Sequence, residues 1–559
     1  MDIALTNGRF YTLNSRHPSA DTVLIRDKQF TFVGDGVGMD FADGTEIVDL
    51  QGRVVLPGLL DAHTHPATVA ASSWHVQLPD THNLDEILEF VREYGERHPK
   101  EEAPYLYFEY YPTTLFGDGS PTKELLDTAI SDRPVLLQDA GDHASWTNSA
   151  MLEALGVTRD TEDPLPGLAR FARDENGELT GHIFEGAHQY FIENLYAAVD
   201  WYPPVDPARE TLLPVLDFYT RNGVTALFDA YIESSAQIET ISELDRAGDL
   251  NFYYEGAVRF WSLNDIESAI QTAKTYDSKF GSKRVRVRTL KLFLDGTNEL
   301  GNSAVLEPLL SDDNAGTLGA IQMEVNDLTQ CLLYANQAGL DLHIHLVGDR
   351  AFRVACDAVE AAQDSLANCE DGWVTQVTFA HCELVDPADM SRPEKLGIII
   401  NWTPHWSGGY FGEEAIRHLG EERWNRMYRF REFAESGATV TFSSDVVSYA
   451  ELHRASPFFG IQVASTRVDP EVPLDRQRYP GSLRPQESAR IPLETLLRGY
   501  TIDAARQMRL SESMGSIEEG KCANLVVLDA DPFSTEDSTF SSIVPTAVIF
   551  EGEVVAGSL

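Results

Sequence analysis

The sequence is poor in cysteine. Its 559 residues include five cysteines, and no two of them form a C-x-x-C pair. An odd number of scattered cysteines is unsuited to a disulfide framework, so the pattern favours a reducing compartment. Cys382 follows a histidine, but adjacent side chains of a strand point to opposite faces. We therefore expect the Cys382 thiol to be buried rather than to take part in chemistry.

Long apolar segments are also absent. No apolar run approaches the roughly 20 residues that span a bilayer. The stretch MDIALTNGRFYTLN has neither the basic region nor the apolar core of a signal peptide. Hydrophobic residues still make up 43% of the chain and aromatic residues 10%, which indicates packed cores rather than disorder. We expect a soluble, cytoplasmic protein that does not bind membranes.

Basic residues are scarce relative to acidic ones. The chain has 43 Lys and Arg against 88 Asp and Glu, a formal net charge of −45 and a pI near 4.5. Such a surface repels nucleic acid and anionic membranes, which leaves a small molecule as the expected partner. An acidic, lysine-poor surface is typical of proteins that work in concentrated salt, where the Debye length falls to about 3 Å at 1 M. A halophilic protein and an ordinary acidic protein are both consistent with this composition.

The two ends of the chain have a similar pattern of apolar and polar residues. Residues 1–55 alternate apolar and polar positions with Asn-Gly and Gly turn signals, and residues 511–559 resume that alternation. Such alternation is typical of short antiparallel strands with one buried face. We predict that 1–55 and 511–559 together form one small β-sandwich domain.

Residues 56–510 alternate short apolar strands with helix-like segments. Two of the helix-like segments, each containing Gly at its end, are DPARETLLPVLDFYTRNG and NDLTQCLLYANQAG. The predicted strands are PVLLQDA, GVTALFDA, RVRVRTLKLFLDG, LDLHIHLVGD, TQVTFAHCEL, GIIINWTPH and ATVTFSSD. This repetition predicts an α/β fold, a (β/α)₈ TIM-type barrel with loop insertions at 66–83, 298–319 and 403–428.

An apolar run that ends in two histidines, LPGLLDAHTHP, covers residues 56–66. Residues two apart on a strand share a face, so His63 and His65 would project together, with Asp61 one pleat behind them. Neutral imidazole is the commonest metal ligand, and a rigid strand end holds two of them at a fixed separation. The alternative is a pair of histidines that bind backbone carbonyls.

Further polar residues end later predicted strands. These are Lys291, His345, His381 and Asp445. The carboxyl ends of barrel strands meet at one mouth, where barrel enzymes carry their chemistry. Four histidines and a carboxylate around one centre suit Zn²⁺ or another divalent ion, with one or two ions bound.

Lys291 shares a face with Val285, Val287 and Thr289, which places it inside the predicted barrel. A buried ammonium without a partner is costly, so it must be paired, deprotonated or modified. Two hypotheses remain open for Lys291. It is either carboxylated by CO₂ to give an oxygen ligand that bridges two metals, or paired with Asp295 or another neighbour.

Ordered motifs along the chain resemble the amidohydrolase superfamily, in particular its family 3 branch, which includes N-substituted formamide deformylases. The resemblance covers nearly the whole chain. The motifs that carry it, in order, are NGRFYTLN, VVLPGLLDAHTHP, GDHASWTNSAML, NGELTGHIFEGA, KLFLDGT, HLVGDRA, FAHCELVDP, SSDVV, SPFFGIQVASTR, YTIDAAR and GSIEEGKCANLVVLD.

The resemblance implies a metal centre and a set of residues around it. The implied ligands are His63, His65, His345, His381 and Asp445, with Lys291 as a carboxylated bridge. It also places His143, Glu185 and His405 near the mouth, where each either orients substrate or supports the structure. Asp445 has a second expected role that general chemistry supports, since a carboxylate beside activated water can take its proton and pass it to a leaving amine.

We therefore expect a metal-dependent hydrolase that cleaves a C–N bond of the amide or formamide type in a small-molecule substrate. One alternative keeps the site but deaminates a cyclic nitrogen compound or hydrolyses an ester-like bond. Another is a non-catalytic scaffold, although every expected ligand position is filled. A homodimer is among the oligomeric states that the sequence leaves open.

Overall fold

The computed structural model describes residues 2–116, 119–203, 208–311, 315–369, 372–408, 415–471 and 489–559. The strands are β1 Ile3–Thr6, β2 Arg9–Tyr11, β3 Ser19–Ala20, β4 Thr22–Arg26, β5 Gln29–Gly34, β6 Glu46–Asp49, β7 Val54–Pro57, β8 Leu59–Thr64, β9 Val76–Gln77, β10 Leu106–Tyr111, β11 Val135–Asp139, β12 Ala144–Thr147, β13 Arg170–Arg173, β14 Leu179–Phe184, β15 Val224–Asp229, β16 Tyr253–Arg259, β17 Val285–Phe293, β18 Asp341–Leu346, β19 Val377–His381, β20 Ile399–Trp402, β21 Val440–Phe442, β22 Leu525–Leu528, β23 Pro545–Phe550 and β24 Glu553–Gly557.

The α-helices are α1 Pro66–Ala71, α2 Leu84–Arg97, α3 Lys123–Asp127, α4 Ser149–Leu155, α5 Ile192–Val199, α6 Arg209–Arg221, α7 Ser235–Ala247, α8 Ile266–Phe280, α9 Val325–Ala338, α10 Asp349–Leu366, α11 Arg392–Leu396, α12 Ala415–Trp424, α13 Phe430–Glu435, α14 Pro457–Thr466, α15 Leu493–Gly499 and α16 Ile502–Gln507. The two helix-like segments of the sequence correspond to α6 and α9. Gly339 ends α9 in the left-handed conformation, with φ of +70°. Among the described residues, no helix combines the length and the apolar composition that a bilayer crossing requires.

Eight parallel strands form the central sheet, in the order β8-β15-β16-β17-β18-β19-β20-β21. Every residue of β8, β15, β18 and β19 is buried, as expected for strands covered on both faces. The first and last strands approach each other, because the Asp445 N–H after β21 donates to the His63 carbonyl of β8 at 2.8 Å. The sheet is therefore an almost closed barrel, and the predicted α/β barrel is confirmed.

One predicted barrel strand was wrong. PVLLQDA forms β11, which belongs to a separate mixed sheet of order β13-β14-β12-β11-β10-β9. This sheet lies between the first two barrel strands along the chain, so the insertion after β8 is far longer than the predicted loop 66–83. β11 continues into the antiparallel strand β12 instead of a crossover helix. A short apolar run shows that a strand is buried, but it does not show which sheet the strand joins.

Strands from both ends of the chain pair with each other. β22 pairs antiparallel with β7, with Leu525 opposite Pro57, in a sheet of order β24-β23-β22-β7-β2-β3. A second sheet has the order β5-β4-β1-β6. Side chains of both sheets share one hydrophobic cluster, which includes Leu5, Phe30 and Val527. The sandwich arrangement and the domain limits at 55 and 511 stay predictions.

Candidate metal centre and active site

The end of β8 holds the two histidines in place. Pro66 occupies the first turn of α1, so the strand stops just before His65. His63 and His65 are both buried, and their ring centroids lie 5.3 Å apart. Asp61 accepts hydrogen bonds from the N–H groups of His63 at 3.2 Å and Ser444 at 3.1 Å. The Asp61 carboxylate thus fixes the backbone around the histidines.

Asp445 faces both histidines across the closure of the barrel. It follows β21 in the left-handed conformation, with φ of +48°. Its Oδ1 lies 3.4 Å from Nε2 of His63 and 3.2 Å from Nε2 of His65. One ligand atom from each of these three buried residues lies within 4.8 Å of the others, a spacing that one metal ion can bridge.

His345 and His381 join the same cluster from neighbouring strands. The parallel register sets Leu346 of β18 opposite His381 of β19. The imidazole centroids of His345 and His381 are therefore close, 4.4 Å apart. The His381 ring is 5.2 Å from that of His63, and its Nδ1 is 3.7 Å from Oδ2 of Asp445. The structure therefore brings together all four predicted histidines and the predicted aspartate.

Several ring nitrogens in this cluster lack hydrogen-bond partners in the described part of the chain: His65 Nδ1, His345 Nε2 and His381 Nδ1. Leaving buried polar atoms unpaired is costly. Burial also holds the pKa values of His63, His345 and His381 well below the ordinary histidine value. Neutral imidazoles with free nitrogens beside a carboxylate are the donor set that divalent transition metals prefer, so these residues fit a metal ion.

Lys291 lies inside the barrel on β17 and is 1% exposed. Its Nζ is 4.8 Å from the centre of the Phe293 ring. Asp295 accepts hydrogen bonds from three backbone N–H groups at 2.8–2.9 Å and forms no ion pair with Lys291, so pairing with Asp295 was wrong. Pairing of Lys291 with another neighbour stays a prediction. Burial lowers the pKa of Lys291 to about 7, although the Asp445 charge opposes this shift. Carboxylation of Lys291 stays a prediction.

His343 is a residue that our sequence reasoning missed. Its Nε2 lies 3.0 Å from Nδ1 of His63, and its ring stacks on Phe228 with centroids 4.8 Å apart. If His343 accepts the proton of His63 Nδ1, the Nε2 lone pair of His63 faces Asp445. The signal was present, because LDLHIHL repeats the one-residue histidine spacing of residues 63–65.

The inserted sheet delivers His143 and Glu185 to the barrel mouth. Nδ1 of His143 lies 2.9 Å from Oε2 of Glu185, whose Oε1 accepts a 2.9 Å hydrogen bond from the Asn302 amide. The His143 ring is 6.0 Å from that of His345. Burial by itself would lower the pKa of His143, but the Glu185 charge and hydrogen bond outweigh it and raise the pKa to about 10. His143 and Glu185 thus form an ion pair beside the histidine cluster.

His405 is buried in the turn Pro404–Ser407 after β20. Its ring faces Phe459, at a centroid distance of 6.3 Å. The next residue, Trp406, stacks on His381 at 5.0 Å with the ring planes 8° apart. Trp406 rather than His405 is therefore the residue of this turn in contact with the cluster, and a substrate-binding role for His405 stays a prediction.

Comparison with known proteins points to one family. The chain matches the profile of the amidohydrolase family over residues 46–556. It is 30% identical to the exoenzymes regulatory protein AepA of Pectobacterium carotovorum, over 78% of this chain and 92% of that one. It is 27% identical to the N-substituted formamide deformylase of Arthrobacter pascens, over 95% of this chain and 94% of that one.

A solved structure shows the same fold. An uncharacterized metal-dependent hydrolase from Pyrococcus horikoshii superposes with a TM-score of 0.70 at 22% identity, over 96% of this chain and 99% of that one. At this identity the likeness concerns the fold alone. The family match covers most of the chain, so the prediction of an amidohydrolase is confirmed: the chain is a member of the amidohydrolase family, whose enzymes hydrolyse carbon–nitrogen bonds.

Proposed function

We propose that this protein is a metal-dependent hydrolase that cleaves a C–N bond of the amide or formamide type in a small molecule. The observation that carries the proposal is the convergence of His63, His65 and Asp445 within 4.8 Å, with His345 and His381 against them. The similarity to a formamide deformylase over almost the whole chain supports the bond type.

The residues that would hold the metal are His63, His65, His345, His381 and Asp445, with a carboxylated Lys291 as the bridge in a two-ion site. Their nitrogen and oxygen donors suit Zn²⁺. A divalent ion at this position supplies Lewis acidity, which polarises a substrate carbonyl and makes water easier to deprotonate.

Asp445 is the proposed proton carrier. Its carboxylate is buried at the mouth and faces the histidine cluster, so it can accept a proton from the attacking water. It can then give that proton to the departing nitrogen as the C–N bond breaks. The reaction consumes one water and yields a carboxylic acid, or formate, and an amine.

His143 is the proposed electrophile on the substrate side. Its Nδ1–H donates to Glu185, which leaves Nε2 to meet the substrate. Asn302 holds the other oxygen of Glu185, so the ring is fixed from behind. An imidazolium placed there would stabilise negative charge that develops on the carbonyl oxygen during attack.

The test combines metal analysis with a substrate screen. The purified protein is assayed for bound metal and then for amine release from N-formyl and N-acyl amines, with added zinc or manganese. We expect turnover that a chelator abolishes and zinc restores. Ammonia release from cyclic nitrogen compounds without amide hydrolysis would favour the deaminase alternative.

The variant Asp445→Asn sharpens this test. Loss of a positioned acid–base group costs about 10²–10⁴-fold in rate, so we expect a decrease in kcat of that size. The matched control is Asp132→Asn, whose side chain is 59% exposed at the surface. Full activity in Asp445→Asn would contradict the proposed role.

A further inference from the structure

An arginine lies at the carboxyl end of a barrel strand and was not part of any predicted site. Arg259 is the last residue of β16, and the parallel register sets it opposite Lys291 of β17. The carboxyl ends of barrel strands form the mouth that carries the chemistry. Arg259 is only partly buried, so its guanidinium is accessible from that mouth.

Aromatic rings hold the guanidinium of Arg259. Its Cζ lies 4.5 Å from the ring centre of Tyr231 and 4.5 Å from that of Trp261. Trp261 in turn stacks on Phe293 at 5.8 Å. Cation–π contacts of this kind fix a guanidinium without using its N–H donors.

No described carboxylate lies within 4.0 Å of this guanidinium. Two other arginines with low exposure differ in this respect. Arg284 binds Glu551 at 2.6 Å, and Arg454 binds Asp469 at 2.8 Å. In a chain with 88 acidic residues, an arginine at the mouth that has no acidic partner among the described residues differs from these structural pairs.

The guanidinium is close to the candidate metal ligands. The Tyr231 ring that it covers is 5.1 Å from the His65 ring. On the other side, the Phe293 ring beneath Trp261 is 5.1 Å from the His345 ring. A small molecule whose scissile bond lies at the histidine cluster could therefore reach Arg259 with a group a few bonds away.

We propose that Arg259 binds a carboxylate of the substrate, so that the substrates are N-formyl or N-acyl amino acids rather than neutral amides. The planar fork of a guanidinium matches a carboxylate in a bidentate pair. The strongly acidic chain repels anions in general, and a local cation at the mouth is what such a substrate requires. This inference rests on the proposed C–N hydrolase function.

The kinetic test compares two substrates that differ only in this charge. N-formylphenylalanine and N-formylphenylalaninamide are assayed with the metal-loaded wild-type protein and with Arg259→Gln. Hydrogen bonds between charged groups are worth about a 10- to 100-fold change in affinity, so wild type should favour the acid by that factor in kcat/KM. Arg259→Gln should lose this preference through a higher KM, with the amide unaffected.

Two further variants separate charge from packing. Arg259→Lys keeps the charge without the planar fork and should retain part of the preference. Arg288→Gln is the control, because Arg288 lies near the other end of the neighbouring strand and is 54% exposed. The proposal is overturned if wild type does not favour the acid, or if Arg259→Gln affects both substrates equally.

A binding measurement distinguishes failure of this proposal from failure of the proposed function. N-methylsulfonylphenylalanine and its amide, which an amide hydrolase does not cleave, are titrated into the metal-loaded protein by calorimetry. Preference for the acid that Arg259→Gln abolishes supports the role of Arg259 even if no formamide is hydrolysed. Equal binding of acid and amide, or no binding of the acid, overturns it whatever the catalytic result.

Discussion

Two regions of the molecule bury polar groups: the barrel mouth, and the junction where Glu551 of the terminal strands meets the barrel. Among the described residues, buried groups lack partners in the first region and have them in the second. At the mouth, ring nitrogens of His65, His345 and His381 lack partners among the described residues. At the junction, the buried Glu551 of the loop between β23 and β24 binds Arg284 at 2.6 Å, Lys28 at 2.8 Å and the Tyr253 hydroxyl at 2.8 Å. Unpaired groups cost stability and indicate a ligand, whereas paired ones hold elements together.

The largest effect is expected at the mouth, where a substitution should affect chemistry and spare the fold. His65→Ala removes one of three ligands that meet within 4.8 Å. Loss of a residue that only supports a metal ligand already costs about 10–100-fold, so we expect loss of a ligand to lower activity at least about 100-fold. The melting temperature of the metal-free protein should stay unchanged. Amine release and calorimetry measure the two effects. The control is His17→Ala on the exposed surface. A large decrease in the stability of His65→Ala would contradict the expectation that the mouth residues serve chemistry and not the fold.

A smaller effect is expected at His343, which contacts the candidate metal ligand His63. His343→Phe keeps a ring against Phe228 but removes the nitrogen that lies 3.0 Å from His63. Partners of metal ligands typically contribute about 10–100-fold in metal affinity. We expect that loss in zinc titrations, with activity restored at saturating zinc. His343→Gln, which keeps an acceptor, should be closer to wild type; equal zinc affinity in all three proteins would show that His343 only fills space.

At the junction the effect should be on stability alone. Glu551→Gln keeps the shape of the side chain but removes the charge that Arg284 and Lys28 bind. Hydrogen bonds to charged groups contribute about 2 kcal/mol, so we expect the free energy of unfolding to fall by about that amount. Denaturant titration measures it, with Glu553→Gln at an exposed position as the control. A loss of activity at unchanged stability would contradict this assignment.

The smallest expected effect is the pH dependence of that junction. Burial favours a raised pKa for Glu551, but the hydrogen bonds from Arg284, Lys28 and Tyr253 outweigh it and lower the pKa to about 2. A group whose pKa is lower in the folded state stabilises the protein above its unfolded pKa, near 4.3, and this contribution disappears as the pH falls towards 2. Between pH 6 and pH 2 the melting temperature should decrease less steeply with falling pH for Glu551→Gln than for wild type. If the melting temperatures of the two proteins decreased equally with pH, other carboxylates would dominate acid unfolding.

Much of the site could be predicted because its residues follow recognisable strand patterns. The pair at 63 and 65 stands between an apolar run and Pro66, and His345 and His381 each end such a run. Their convergence follows from the rule that parallel strands meet at one mouth. Cys382 is 1% exposed, so its predicted burial is confirmed, although it follows β19 with φ of +43° instead of continuing the strand.

Other parts were not accessible from these patterns. The run at 135–139 is as apolar as a barrel strand, yet it joins the inserted sheet because its next strand returns antiparallel. Trp406 rather than His405 meets His381, because a short turn after the strand decides which of two neighbours points inward. Arg259 ends a strand like the predicted ligands, but only the tertiary structure shows that its guanidinium lies over the rings of Tyr231 and Trp261 at the mouth.

The sequence by itself indicated the barrel and the candidate ligands, because strand periodicity and side-chain chemistry are local properties of the chain, and its ordered motifs indicated the family by resemblance. The tertiary structure alone decided which buried groups have partners, since pairing depends on atoms that are far apart along the chain. Asp445 and His63 are an example, because most of the barrel lies between them in the sequence. Closure of the sheet places Oδ1 of Asp445 3.4 Å from Nε2 of His63.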